Sequence, residues 1–372
     1  MDFWIGLVCV GLVLLLANLF VNNKYKFILR DVYVIILWVV GSFRYMIGAD
    51  YYTYVYEYLN WSENNLDIDG MEPTYHLINY ILHSLGFDYQ MLFLVYESII
   101  IFFTYLGIKY YFEKNKQLLA WFFYSITISA YMYSFNNIRA AAAYSIVFFA
   151  YKYFINNETK KLIFMLMIAA LFHYSALFFV LVFLLPRKKE ISFITWISLL
   201  IFSFIIGVLK LPVIVMNYLI SSFTKYSEGY SILMVNDPGI WSFSNTLIFL
   251  VFVYFLTLIL FKNNENKIIR YLAMLSQIYI LVAIATNITF VNGTVTDVMS
   301  RIKLIFALFN FATMVGLLYR IKYKLGYCLA ILFLIGNMSL YFYTIANTKT
   351  SASANLAVGN MNYEFNFKLI DE

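Results

Sequence analysis

The chain has 372 residues, of which 63% are hydrophobic, 21% aromatic and only 12% charged, with a net charge of +6. A soluble domain of this length carries about twice that charged fraction, so the composition excludes a soluble globular protein and implies a polytopic membrane protein. The charges fall in short clusters between apolar runs, so the positive balance reports orientation in a bilayer and not affinity for nucleic acid.

A membrane span takes about 20 apolar residues. On that ruler the first span is Phe3–Val21, which lacks a basic leader and a small-residue cleavage site and is expected to stay in the protein. Spans follow at Asp31–Ile47, Tyr89–Phe112, Leu118–Ser134 and Asn137–Asn156. The next apolar run, Leu162–Leu185, is followed by Phe193–Leu209, Asn245–Phe261, Tyr271–Val291, Arg301–Tyr319 and Gly326–Ala346. Cys9 and Cys328 both lie inside apolar runs, which supports neither a disulfide framework nor a metal site. With few prolines and no low-complexity tract, a single integral membrane domain over 1–372 is expected.

Six basic clusters orient the chain: Lys24/Lys26/Arg30, Lys109/Lys114/Lys116, Lys152/Lys160/Lys161, Arg187/Lys188/Lys189, Lys262/Lys267/Arg270 and Arg320/Lys322/Lys324. The positive-inside rule wants all of them in the cytoplasm. Alternation fails at the fourth cluster if Leu162–Leu185 crosses once, and is restored if that run enters and returns as a re-entrant hairpin with His173 at its apex. A continuous helix is the competing reading, because the run holds no Gly or Pro. The fold expected is therefore all-α, with about ten transmembrane helices plus the hairpin. Both ends of the chain then face outward, with two longer external loops. One holds Asp50, Glu57, Glu63, Asp67, Asp69, Glu72 and Asp88; the other runs from Lys210 to Ser244.

Ionisable residues at membrane depth are costly, and they are functional candidates by default. Arg44, Arg139 and Arg301 stand at outer ends of expected spans, where three guanidiniums can line one cavity and hold a pyrophosphate through planar forks of donors. The plain alternative for each is an interfacial arginine paired with a loop acid such as Asp50. Asn136 and Asn137 precede Arg139, and the small run Ala140–Ala143 lets a neighbouring helix approach closely. His173 is a candidate general base, its alternative being a packing residue bonded to helix backbone. Glu97 is the one carboxylate well inside a span, able to relay protons or to pair with an arginine. His76 and His83 lie on an amphipathic stretch and read as interfacial. No convincing set of metal ligands is present, and the short Asp67-Ile68-Asp69 pattern is common by chance in an acidic loop.

Four motifs together resemble the EpsG/Wzy-type polysaccharide polymerases of bacteria. They are Arg44 with Gly48-Ala49-Asp50-Tyr51-Tyr52 and Tyr54, then Glu72-Pro73-Thr74-Tyr75, then Ser134-Phe135-Asn136-Asn137-Ile138-Arg139, then Phe172-His173-Tyr174-Ser175-Ala176. The resemblance implies an enzyme at the outer face of the cytoplasmic membrane that joins undecaprenyl-pyrophosphate-linked repeat units, serving O-antigen, capsule or exopolysaccharide synthesis, with no cofactor and no metal. It implies His173, Arg139 and Asp50 as catalytic residues, and Arg44, Arg301, Asn136, Asn137, Ser175 and Glu72 as substrate contacts. Besides the lipid-linked oligosaccharide and the bilayer, it implies a chain-length regulator and a flippase as partners. A flippase or other transporter is a rival reading, although the halves of the chain show no repeat of the kind such folds carry. An integral membrane sugar acyltransferase using His173 is a second rival.

Overall fold

In the computed structural model, residues 2–48, 50–61, 72–185 and 191–209 are described, followed by 211–212, 214, 241–242, 251–255, 257–258, 266–287, 289–290, 304–318, 334–336, 338–339, 341–343, 345 and 359–368. The acid-rich stretch 62–71, most of the loop 210–244, the clusters around Lys188 and Lys322, and Arg301 lie outside the described residues. The chain divides into two compact units, Met1–Val180 with Met314–Glu372, and Leu181–Thr313.

The first unit opens with helix α1 (Asp2–Phe20) and helix α2 (Lys26–Ser42). α2 takes Arg30 and Asp31 into the helix because Arg30 is satisfied there: it donates to Asp31, to Gln117 and to the Tyr105 hydroxyl. The span expected to run on to Ile47 ends at Ser42 instead. Arg44–Ile47 forms strand β1, which pairs antiparallel with β4 (Gly359–Phe365). Short helices α3 (Tyr51–Leu59) and α4 (Pro73–Ser84) follow, then the long α5 (Gln90–Tyr111). On α4, the His83 ring is stacked between Tyr58 and Trp61.

The expected span Leu118–Ser134 is broken. Helix α6 (Gln117–Ile126) stops at the β-branched run Ile126-Thr127-Ile128, where Thr127 is extended at φ −88° and ψ 112°. A wide turn over Ile128–Met132 then leads into the single turn α7 (Tyr133–Asn136), and the two parts are bent by 62°. Asn137 is also non-helical, and α8 (Ile138–Ile155) begins after it. Within α8, Ala142 and Ala143 have no exposed surface; the small run lets α8 pack against both α5 and α9 (Thr159–Phe172). The Ser134–Arg139 motif therefore straddles the break at Asn137 between two helices, its residues Ser134–Asn136 and Ile138 buried, the setting in which irregular backbone is tolerated in a membrane.

Helix α9 ends at Phe172. His173 is extended, at φ −161° and ψ 123°, and a run of tighter 3-10 helix covers Tyr174–Leu184. The continuous-helix reading of Leu162–Leu185 is thus replaced by a break at the residue expected as the hairpin apex.

In the second unit, α10 (Phe193–Val208) packs along α11 (Lys267–Asn287), and Trp241–Ser242 (β2) pairs with Thr289–Phe290 (β3). Helix α12 covers Ala307–Leu318. Among the described residues four helices are long and apolar enough to cross a membrane, namely Asp2–Phe20, Gln90–Tyr111, Ile138–Ile155 and Lys267–Ala285, or five if the bent pair counts as one span. This is a mainly helical multi-pass membrane protein. The expected spans Asn245–Phe261 and Gly326–Ala346 fall largely outside the described residues.

Candidate functional site

Glu72 is where distant parts of the first unit meet. It occupies the N-cap of α4, with Pro73 at the first helical position and an extended backbone, yet its side chain makes no capping bond. Pro lacks the N–H that opens a helix, so it suits this place, and the positive end of the helix favours a carboxylate beside it. The Thr74 hydroxyl donates to the Leu171 carbonyl across 2.6 Å, tying the start of α4 to the last turn of α9. That tie brings the Glu72 carboxylate to the break at His173.

The carboxylate is used on both oxygens. Its Oε2 accepts from Arg139 Nη1 at 2.7 Å, and its Oε1 accepts from His173 Nδ1. An ionised carboxylate only accepts, so Nδ1 is the donor in this bond, an arrangement that leaves Nε2 as the nitrogen able to take up a proton. The side chains are unequally exposed, 4% for Glu72 against 22% for Arg139 and 25% for His173. The orienting carboxylate is thus covered while the two groups it holds reach open space. Burial alone raises the Glu72 carboxyl, but the bond with His173 and the charge of Arg139 outweigh it and hold the group below the usual carboxylate range.

Arg139 lies in the first turn of α8 with its guanidinium over Tyr75 at 5.0 Å and Tyr54 at 5.8 Å. The Tyr75 hydroxyl donates to Glu57 Oε2 at 2.9 Å. Burial is the main cause that moves the Glu57 carboxyl upward, the nearby charges of Asp50 and Glu72 adding to it. Asp50 begins α3, where its charge acts on Tyr54 and Glu57. On the other flank the Ser175 and Tyr144 hydroxyls are hydrogen-bonded at 2.8 Å, and the Tyr144 ring stands edge-on to His173 at 6.5 Å.

Of the residues expected at the site, the structure brings together Arg139, His173 and Glu72, with Ser175 and Asp50 at the margins. Asn137, half-buried, separates α7 from α8 just ahead of Arg139. Two expectations are corrected. Arg44 has no exposed surface: it lies between the rings of Phe93 and Phe135, donates to the Gly41 carbonyl and stands 3.9 Å from Glu97, so it is a core residue and not part of an open cavity. Glu97 thereby takes the arginine-pairing role. Asn136, 1% exposed, is also packed inside. Arg301 lies outside the described residues. The sequence reading missed Glu57 and Tyr144 as neighbours of the site; only the helical placement of each beside a named motif could have pointed to them. Among the described residues no group of three His, Cys, Asp or Glu side chains is disposed to hold a metal ion.

Fold and site together define a multi-pass helical membrane protein with a carboxylate-oriented histidine beside an arginine. Compared with known protein families, the chain matches the EpsG family over residues 27–365, and it belongs to that family. It matches no curated protein and no solved structure at a significant level.

Proposed function

We propose that this protein is a polysaccharide repeat-unit polymerase acting at the outer face of the bacterial cytoplasmic membrane. The observation that carries the reading is the Glu72 carboxylate shared by His173 and Arg139, joined to membership of the EpsG family. In the reaction, a hydroxyl at the non-reducing end of an incoming lipid-linked repeat unit attacks the anomeric carbon of the growing glycan on its undecaprenyl pyrophosphate. The new C–O bond forms as the bond from that carbon to the pyrophosphate oxygen breaks.

His173 Nε2 receives the hydroxyl proton, and Glu72 holds the ring in the tautomer that makes this possible and stabilises the imidazolium that results. The pyrophosphate leaves with the bonding electron pair, and Arg139 meets the charge that develops there with fixed N–H donors. Tyr54 and Tyr75 keep the guanidinium in place from below. Ser175, Asn137 and Asp50 border the acceptor side. A flippase that supplies the lipid-linked units and a regulator of chain length are the partners this reading calls for.

The experiment is reconstitution of the purified protein with one defined lipid-pyrophosphate-linked repeat unit. Longer glycans and free lipid pyrophosphate should appear together. Movement of the unit across the bilayer without any new glycosidic bond would replace the polymerase by a transporter, and an acylated sugar product would replace it by an acyltransferase.

A further inference from the structure

Strand β4 belongs to the stretch expected as an outer tail, and the proposed reaction makes no use of it. It lies antiparallel to β1, with Arg44 opposite Phe365, Tyr45 opposite Glu364 and Ile47 opposite Gly359. A ribbon of two strands is marginal by itself, but this one is held on several sides. The Tyr363 ring lies parallel to Phe3 of α1 with centroids 3.9 Å apart, and meets Trp4 edge-on at 5.8 Å. Its hydroxyl donates to the Val40 carbonyl of α2. Just beyond the strand, Asn366 donates from its backbone to the Phe43 carbonyl at 2.8 Å and from Nδ2 to the Tyr89 hydroxyl at 3.1 Å, ahead of α5. β4 therefore ties α1, α2 and the start of α5 to β1.

β1 leads directly into the site. Gly48 follows it at φ +112°, and a Cβ placed there would come within 2.0 Å of the Phe135 carbonyl oxygen. Only glycine suits both that backbone and that approach. The turn after β1 is thus pressed against the end of α7, just ahead of Arg139, and the chain then enters α3, which sets Tyr54 beneath the Arg139 guanidinium. One ribbon fixes both the backbone that carries Arg139 and a ring that supports it.

We infer that β4 is a positioning element of the active centre, with Tyr363 as its anchor, and that it stays paired with β1 throughout turnover. The inference rests on the polymerase reading. Loss of β4 lets the β1–α3 segment shift, and displacements of about 1 Å at a reacting centre cost on the order of 10²-fold in rate.

The test begins in a background with Cys9→Ser and Cys328→Ser. Directly opposed residues of an antiparallel pair have Cα atoms about 4.5–5.5 Å apart, within reach of a disulfide, so Tyr45→Cys with Glu364→Cys can be joined by oxidation. The joined protein should keep the turnover of its reduced form. Tyr363→Ala, and deletion of residues 359–372, should lower kcat on the order of 10-fold or more with KM nearly unchanged. Tyr363→Phe, which keeps the stack on Phe3, should retain most of the rate. A synthetic peptide of residues 357–368 should restore the deleted protein.

Wild-type turnover in the deleted protein or in Tyr363→Ala would overturn the inference, and so would arrest of turnover on oxidation, since the strand would then have to leave. If the deleted protein does not fold, Tyr363→Ala and the joined pair decide. Formation of longer glycans by the wild-type protein in the same assay separates the two claims: with it, the reaction stands whatever β4 does, and without it the reaction fails and this inference with it, whereas wild-type turnover in Arg139→Ala would remove the group that β4 is inferred to position.

Discussion

Replacing Glu72 by Gln keeps the shape of the side chain and removes its charge. The carboxylate accepts from Arg139 Nη1 at 2.7 Å and from His173 Nδ1; an amide has one oxygen to accept with and must turn its NH2 toward the other donor. A hydrogen bond to a charged group is worth about 1.5–3 kcal/mol. The partial exposure of Arg139 and His173, 22% and 25%, places the loss in the lower part of that range. About 1.5–2 kcal/mol corresponds to roughly 10- to 30-fold in rate. The imidazole is also freed to adopt the tautomer with its proton on Nε2, which removes the base from a further share of molecules. Glu72→Gln should therefore lower kcat on the order of 10²-fold while KM for the lipid-linked unit moves little, because in the proposed reaction Glu72 acts by orienting the base. Glu72→Asp, shorter by one methylene, reaches one partner at a time and should fall between. The assay is glycan length and lipid pyrophosphate release with the purified protein in detergent. Wild-type kcat in Glu72→Gln would refute the orienting role.

Arg139→Lys should rescue little of the activity lost in Arg139→Ala, because a point charge cannot reproduce a planar fork of donors; full rescue in the glycan-length assay would refute the clamp. Arg44→Ala leaves Glu97 buried without its counter-charge and should cost about 3–5 kcal/mol, read as a lower melting temperature and poor recovery of monodisperse protein. Arg44→Met with Glu97→Met should recover most of that, and an unchanged melt in Arg44→Ala would contradict the core assignment. The Glu72 carboxyl is held below its unfolded value, so the stability it contributes is complete above about pH 4.3 and is lost as pH falls through the lower folded value. Thermal melts should therefore decline with acid more steeply in the wild type than in Glu72→Gln, and a steeper decline in the variant would reverse the sign.

Uninterrupted apolar runs were the legible part of the fold. The expected spans Phe3–Val21, Tyr89–Phe112 and Asn137–Asn156 lie within two residues of the observed Asp2–Phe20, Gln90–Tyr111 and Ile138–Ile155, because charged or amide residues close those runs sharply. Hydropathy failed where the chain leaves the helix without leaving the apolar environment. The break at Thr127 and the strand Arg44–Ile47 are made of residues that a hydropathy window reads as span, and the partner of that strand lies more than three hundred residues away. At the site, Arg139, His173 and Glu72 could each be named from residue type and motif. Their shared carboxylate could not, since Glu72 lies 67 residues from Arg139 and 101 from His173. Arg44 failed for a related reason: an arginine near the end of a span reads the same whether it faces an open cavity or, as here, the Glu97 carboxylate between two phenylalanine rings.

The central claim is that His173 takes the acceptor proton while Glu72 orients it and Arg139 meets the departing pyrophosphate. Single-turnover kinetics of His173→Gln tests it most directly, with purified protein and one defined lipid-pyrophosphate-linked repeat unit. Gln retains a donor for Glu72 but has no proton-accepting nitrogen, so the variant should bind the unit as the wild type does. It should form the new glycosidic bond and release lipid pyrophosphate more slowly by on the order of 10²-fold or more. Bond formation in His173→Gln at the wild-type rate would contradict the account.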